Sequence, residues 1–218
     1  MLLKITFFIL VLFSVSVSAQ CEIKNSANVS KIYTNSLRNI CSDLTLDEKV
    51  LNKKFIIGVT DKFKNPNAFA IKDGGKQIIL INPSMLELHS KNIQSISFVI
   101  AHEIAHFALD HVKDIRDSDL KDRLVASSLS TLSTAFGFTM GSFIDLMSAT
   151  TAAQYSQKQE LNADRFALEI LLRNGYKKDD ALYSMSIMRD LSESSSFSDF
   201  LKTHPNPSLR YQNIHNTK

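Results

Sequence analysis

From Asn92 onward, apolar residues recur at intervals of three and four: Ile93, Ile96, Ile100, Ile104 and Phe107. That period puts them on one stripe of a helix, so the pattern predicts a helix running to about Lys113 with that stripe buried. Upstream the pattern is different. Residues 54–60 (KFIIGVT), 67–71 (NAFAI) and 76–81 (KQIILI) are short apolar runs, rich in β-branched and aromatic side chains, and they predict strands. The last two flank Lys72-Asp73-Gly74-Gly75, a hairpin signal. Pro83 after Asn82 suits the first turn of a helix over 83–88. Residues 30–52 read as helical with a break near CSDLTLDEK. Amphipathic helices are predicted from about Ser156 to Arg173, closed by Asn174-Gly175, and from about Lys178 to Ser192. A serine-rich stretch then leads to THPNPSLRYQNIH, which reads as a loop carrying His204. Residues 120–157 are apolar, almost uncharged and rich in Ser, Thr, Ala and Gly. They suit a helical hairpin packed through small residues, and residues 124–153 are candidates for contact with a membrane or partner.

Composition narrows the function classes. The 218 residues are 44% hydrophobic and 22% charged, an ordinary globular balance for one domain. Net charge is +3 with both signs interspersed, so no basic run marks a nucleic-acid surface. Residues 1–19 stand apart: Lys4, an apolar run from Ile5 to Val17, then Val17-Ser18-Ala19. That is a signal peptide with cleavage expected after Ala19, and the rival is an uncleaved anchor. Residues 20–218 are then one domain, expected in the periplasm or secreted. Export gives meaning to Cys21 and Cys41, the two cysteines of the chain. In an oxidising compartment they are expected to pair; the alternative is two free thiols.

The predicted helix after Asn92 also carries chemistry. His102 and His106 lie four apart, on one helix face, and can chelate one metal ion. Glu103 is offset from that face, where a general base belongs. A catalytic zinc needs a third protein ligand. One class of such enzymes takes it from a histidine six residues after the second, but Val112 stands there. His111 is one residue short and reads as a structural or exposed histidine. A second class uses a glutamate from a later helix. Glu160 and Asp164 lie four apart on the predicted helix, so Glu160 can ligate while Asp164 accepts a hydrogen bond from a ligand histidine. Taken alone, that spacing also fits a solvated helix face.

HEIAH (102–106) with ELNAD (160–164) resembles the M48 metallopeptidases of the gluzincin clan. NPNAFAIKDGGKQIILINPSML (65–86) is similar to that family's edge-strand segment, and YSQKQELNADRFALEIL (155–171) to its third-ligand helix. HPNPSLR (204–210) resembles its late His-Pro segment, with Arg210 six residues after the histidine. These blocks cover most of the chain after residue 55, and the chain looks like the stand-alone, exported form.

The resemblance implies an α+β, zincin-like fold, mainly helical, with a small antiparallel sheet against the His102 helix. It implies a zinc endopeptidase with one Zn2+ per chain, held by His102, His106 and Glu160, acting on polypeptides of the cell envelope in quality control. Glu103, Asp164 and His204 are the expected catalytic set. His204 has two roles open to it, oxyanion stabiliser or latent fourth ligand. Asn67, Ala68, Phe69 and Ala70 are expected to receive the substrate backbone. The rival function is a chaperone-like or scaffold domain with a structural or latent metal. Glu103 argues against it, since a structural site needs no base.

Overall fold

The computed structural model describes residues 21–112 and 155–217, apart from residues 26, 46–49, 51–52, 62, 64 and 74. The predicted leader and most of the small-residue stretch 120–157 lie outside the described residues. The elements, in chain order, are β1 (Cys21–Asn25), α1 (Lys31–Leu44), β2 (Phe55–Val59), β3 (Ala68–Asp73), β4 (Lys76–Ile81) and α2 (Pro83–Leu88). After them come α3 (Ile96–Ala108), α4 (Gln157–Arg173), α5 (Lys178–Asp190), α6 (Ser198–Thr203) and α7 (Pro207–Asn216).

The four strands form one sheet in the order β1-β2-β4-β3. β3 and β4 are the expected hairpin, antiparallel from Ala68↔Ile81 to Asp73↔Lys76. Gly75 turns it with φ +84°, in the left-handed region that favours glycine. The sheet as a whole is mixed rather than antiparallel. β2 runs parallel to β4, and β1 runs parallel to β2 with Cys21 opposite Phe55. The reason is the route of the chain: α1 carries it back from the end of β1 to the start of β2, and a crossover of this kind makes the two strands parallel. β1 was not expected, because CEIKN is short and its partner lies far along the sequence. The disulfide Cys21–Cys41 is present, with Cα atoms 5.9 Å apart, and it ties β1 to α1.

α2 begins at Pro83, as expected, and its cap does more than start a helix. Asn82 is fully buried, and its Oδ1 accepts from the amides of Met85 (3.0 Å) and Asn67 (3.2 Å). Its Nδ2 donates to the carbonyls of Phe63 (3.0 Å) and Asn65 (2.7 Å). One side chain thus fixes both the start of α2 and the approach to β3.

α3 packs on β3 and β4 on one side and on α4 and α5 on the other. Every residue from Ile96 to Phe107 is buried, so the expected apolar stripe is only part of a helix with no solvent face. α4 starts with a reciprocal cap: Ser156 Oγ accepts from the Gln159 amide, and Gln159 Oε1 accepts from the Ser156 amide. It stops where Gly175 takes φ +81°. Among the described residues no helix is long and apolar enough to cross a membrane.

Candidate active site

The site lies where α3, α4 and the α6–α7 junction meet. Helical spacing puts His102 and His106 on the α3 face turned to α4, and Glu160 and Asp164 on the α4 face turned back. His102, His106, Glu160 and His204 are buried, and their ligand atoms lie within 4.8 Å of one another. The two Nε2 atoms of His102 and His106 are 3.0 Å apart. His106 Nε2 is 3.2 Å from Glu160 Oε1, and His102 Nε2 is 3.6 Å from Glu160 Oε2.

The surroundings hold these groups from behind. His102 Nδ1–H donates to Asp164 Oδ1 at 2.9 Å. Arg210, 1% exposed, forks onto Asp164 with Nε–H to Oδ2 at 2.8 Å and Nη2–H to Oδ1 at 2.7 Å. Its Nη1 lies 2.7 Å from Glu160 Oε2. His106 Nδ1 is 3.0 Å from His111 Nδ1. The His106 ring stacks on Tyr155, centroids 3.7 Å apart and planes at 18°. On the other side, His204 Nδ1–H donates to Glu160 Oε2 at 3.2 Å, while its Nε2 faces Glu103 Oε1 at 3.6 Å. Glu103 Oε2 and His204 Nε2 are buried without a hydrogen-bond partner.

These contacts set the charge states of the protein groups. For Glu160 and Asp164, burial alone would raise the pKa, but Arg210 and the neighbouring histidines hold both below the usual carboxylate range. Burial raises Glu103, only partly opposed by His204 and His102. Burial and Arg210 act to lower His102, yet Glu160 and Asp164 bring it up to about 9. Burial lowers His106 to about 3. Burial, with Glu103 and Glu160, pushes Tyr155 well above its ordinary value.

The donor set fits a metal ion. A tetrahedral zinc, about 2.0–2.1 Å from each donor, would hold its ligands about 3.3 Å apart. The His102–His106 and His106–Glu160 Oε1 separations, 3.0 and 3.2 Å, lie near that value, and the second carboxylate oxygen, Oε2, is 3.6 Å from His102. Two imidazoles, an ionised carboxylate and a carboxylate behind one imidazole are the chemistry of such a centre.

All the residues expected at the metal come together, with Glu103 and Asp164 beside them. His204 differs from its expected setting. It is not on a loose loop: it caps α6, is 1% exposed, and is held by its Glu160 bond and by Phe200, with ring centroids 4.8 Å apart. Asn67–Ala70 stand at the edge of the sheet, on a strand that packs against α3. All four are buried as whole residues, and the Asn67 amide and carbonyl already bond to Asn82. His111 is half-buried against His106 rather than exposed. Tyr155 was not foreseen at all. Its stacking pairs residues 49 positions apart, and no local spacing encodes such a contact. The one local signal was its place just ahead of the Ser156 cap.

Comparison with known proteins agrees with the geometry. Metalloprotease LoiP of Escherichia coli (strain K12) is 28% identical over 159 residues, covering 69% of this chain and 58% of that protein. The chain thus spans little more than half the length of that relative. The profile of peptidase family M48 matches residues 32–218, a stretch holding every residue of the site. The chain belongs to peptidase family M48.

Proposed function

We propose that the chain is a zinc-dependent endopeptidase that cleaves exported or envelope polypeptides in quality control, outside the cytoplasm. The observation that carries the reading is the buried cluster of His102, His106, Glu160 and His204, one ligand atom from each lying within 4.8 Å of the others. The Cys21–Cys41 disulfide supports an oxidising compartment, as does the signal-like sequence of residues 1–19. Family membership supports peptide bonds as the substrate.

His102, His106 and Glu160 would hold the zinc. When bound, it supplies a Lewis acid for the scissile carbonyl and makes the attacking water more acidic. Asp164 keeps the His102 proton on Nδ1, which leaves the Nε2 lone pair to the ion. Glu103 accepts the proton of the attacking water and passes it to the leaving amine. Its raised pKa suits that exchange, since a base works best when its pKa lies near the working pH. His204, with Nε2 turned into the site, donates to the oxygen that gains negative charge. The substrate would add as a strand beside β3, the edge strand that follows Asn67.

The test is Glu103→Gln in the purified protein, with zinc content and cleavage of casein measured together. The variant should keep one zinc per chain and lose cleavage. A variant that cleaves as fast as the wild type would remove Glu103 from the mechanism, and a wild type without zinc would remove the reading.

A further inference from the structure

The C-terminal end of α3 is built in an uncommon way. The helix closes at Ala108, and Asp110 then takes φ +56°, the left-handed conformation that usually falls to glycine. The Asp110 amide bonds to the carbonyl of Phe107 at 3.2 Å, and the His111 amide bonds to the carbonyl of His106 at 2.9 Å. A cap of this type folds the chain back so that the residue after the left-handed one lies over the residue five before it. That pair usually makes an apolar contact. Here the two residues are histidines. Their rings meet at 62°, with Nδ1 atoms 3.0 Å apart.

We propose that His111 is a positioning residue of the metal centre, the hydrogen-bond acceptor that fixes the ring and tautomer of the ligand His106. The inference rests on the zinc reading of the site. A histidine that ligates through Nε2 carries its proton on Nδ1, and that N–H needs an acceptor. For His102 the acceptor is Asp164. For His106, among the described residues, the partner at Nδ1 is not a carboxylate but His111 Nδ1, 3.0 Å away. His111 then carries its own proton on Nε2. The two ligand histidines are thus held by different chemistry, one by a buried carboxylate clamped by Arg210, the other by a half-buried neutral imidazole. Asp110 supports the assignment. Its strained backbone brings a metal ligand its outer partner, and without that turn His111 could not lie over His106.

The experiment compares zinc affinity, by competition with a chromophoric chelator, for the wild type, His111→Phe and His111→Asn. Phenylalanine keeps the packing of the cap but offers no acceptor. Asparagine offers a carbonyl oxygen where Nδ1 stood. His111→Phe should weaken zinc binding roughly 10–100-fold, and His111→Asn should recover most of that loss. The d–d spectrum of the cobalt-loaded protein should change in the phenylalanine variant alone. Should the phenylalanine variant bind zinc as tightly as the wild type, or the asparagine variant as weakly as the phenylalanine one, His111 is packing only. A wild type that takes up no zinc would overturn the function proposed above together with this inference.

Discussion

Removing the Arg210 guanidinium should cost more than any other single change outside the hydrophobic core. The perturbation is Arg210→Met, which keeps most of the side-chain volume and deletes the charge. Arg210 forks onto Asp164 at 2.7 and 2.8 Å and reaches Glu160 at 2.7 Å, with all three residues buried. Each charge-assisted bond is worth about 1.5–3 kcal/mol, but bonds in one network do not add. The better measure is the loss of one partner from a buried ion pair, about 3–5 kcal/mol, because the carboxylates stay behind without their cation. Against a typical total of about 5–15 kcal/mol, that is a large share of the fold. The pH dependence gives a second signature. Asp164 and Glu160 have pKa values held below their ordinary 3.8 and 4.5, so they contribute stability above that range and lose it as pH falls through their folded values. Without Arg210, burial acts unopposed by that cation and both values rise. The gap between wild type and variant should therefore be widest above the variant's raised values and shrink as pH falls from them toward the wild type's lowered ones. Urea unfolding from pH 4 to 8, with zinc and with excess chelator, measures both quantities. Arg210→Lys, which keeps the charge and loses the fork, should fall between the two. A methionine variant within about 1 kcal/mol of the wild type at pH 7, with an unchanged pH profile, would refute the reasoning.

Three further outcomes are expected. His89 is fully buried, donates from Nδ1 to the Met85 carbonyl at 2.9 Å and accepts at Nε2 from Ser184 at 3.1 Å; burial lowers its pKa from 6.5 to about 4. Its neutral form favours the fold, so stability should be full above pH 6.5 and fall by about 3 kcal/mol on acidification to pH 4; His89→Gln should flatten that slope in urea titrations. Asn82→Ala removes four bonds, the α2 cap and three at the approach to β3, and should cost about 2–4 kcal/mol in thermal or urea melts. In the same variant KM should rise more than kcat falls, and a fall in kcat alone would argue against β3 as the substrate strand. His204→Ala should keep its zinc and lose about 10²–10³ in turnover, whereas a rise in basal cleavage would show that this histidine blocks the site.

The parts of the fold that were legible in the sequence are those with a local cause. The β3–β4 hairpin announces itself because Gly75 sits between two short apolar runs. α2 and α4 are marked at their ends by Asn82-Pro83 and by Ser156 and Gly175. His102, His106, Glu160 and Asp164 could be read because helical spacing alone puts each pair on one face. What escaped notice depends on long-range packing. β1 is a five-residue strand paired in parallel with residues 34 positions away, so no turn betrays it. α6 and α7 looked like a loop, since serines, prolines and asparagines dominate there, yet Pro207 at the first turn and the burial of Phe197, Phe200 and Ile214 make helices of it. His204 looked mobile for the same reason. Arg210 could be suspected only from the late His-Pro segment; its burial follows from α7 packing on α4 and α5, which no single segment encodes.

A helix with no exposed face has a consequence for how such a protein can change over time. From Ile96 to Phe107, α3 offers no position where a new side chain would meet only water. A saturation-mutagenesis map should therefore show an unbroken block of twelve intolerant positions there, without the three-to-four-residue rhythm that amphipathic helices such as α4 leave in such maps. Ser97, small and buried at 0%, should be as intolerant of enlargement as the isoleucines are of truncation. New specificities must then arise by drift at the half-buried and exposed positions of neighbouring elements. The ligand helix stays as a fixed die, and selection can rework only what surrounds it.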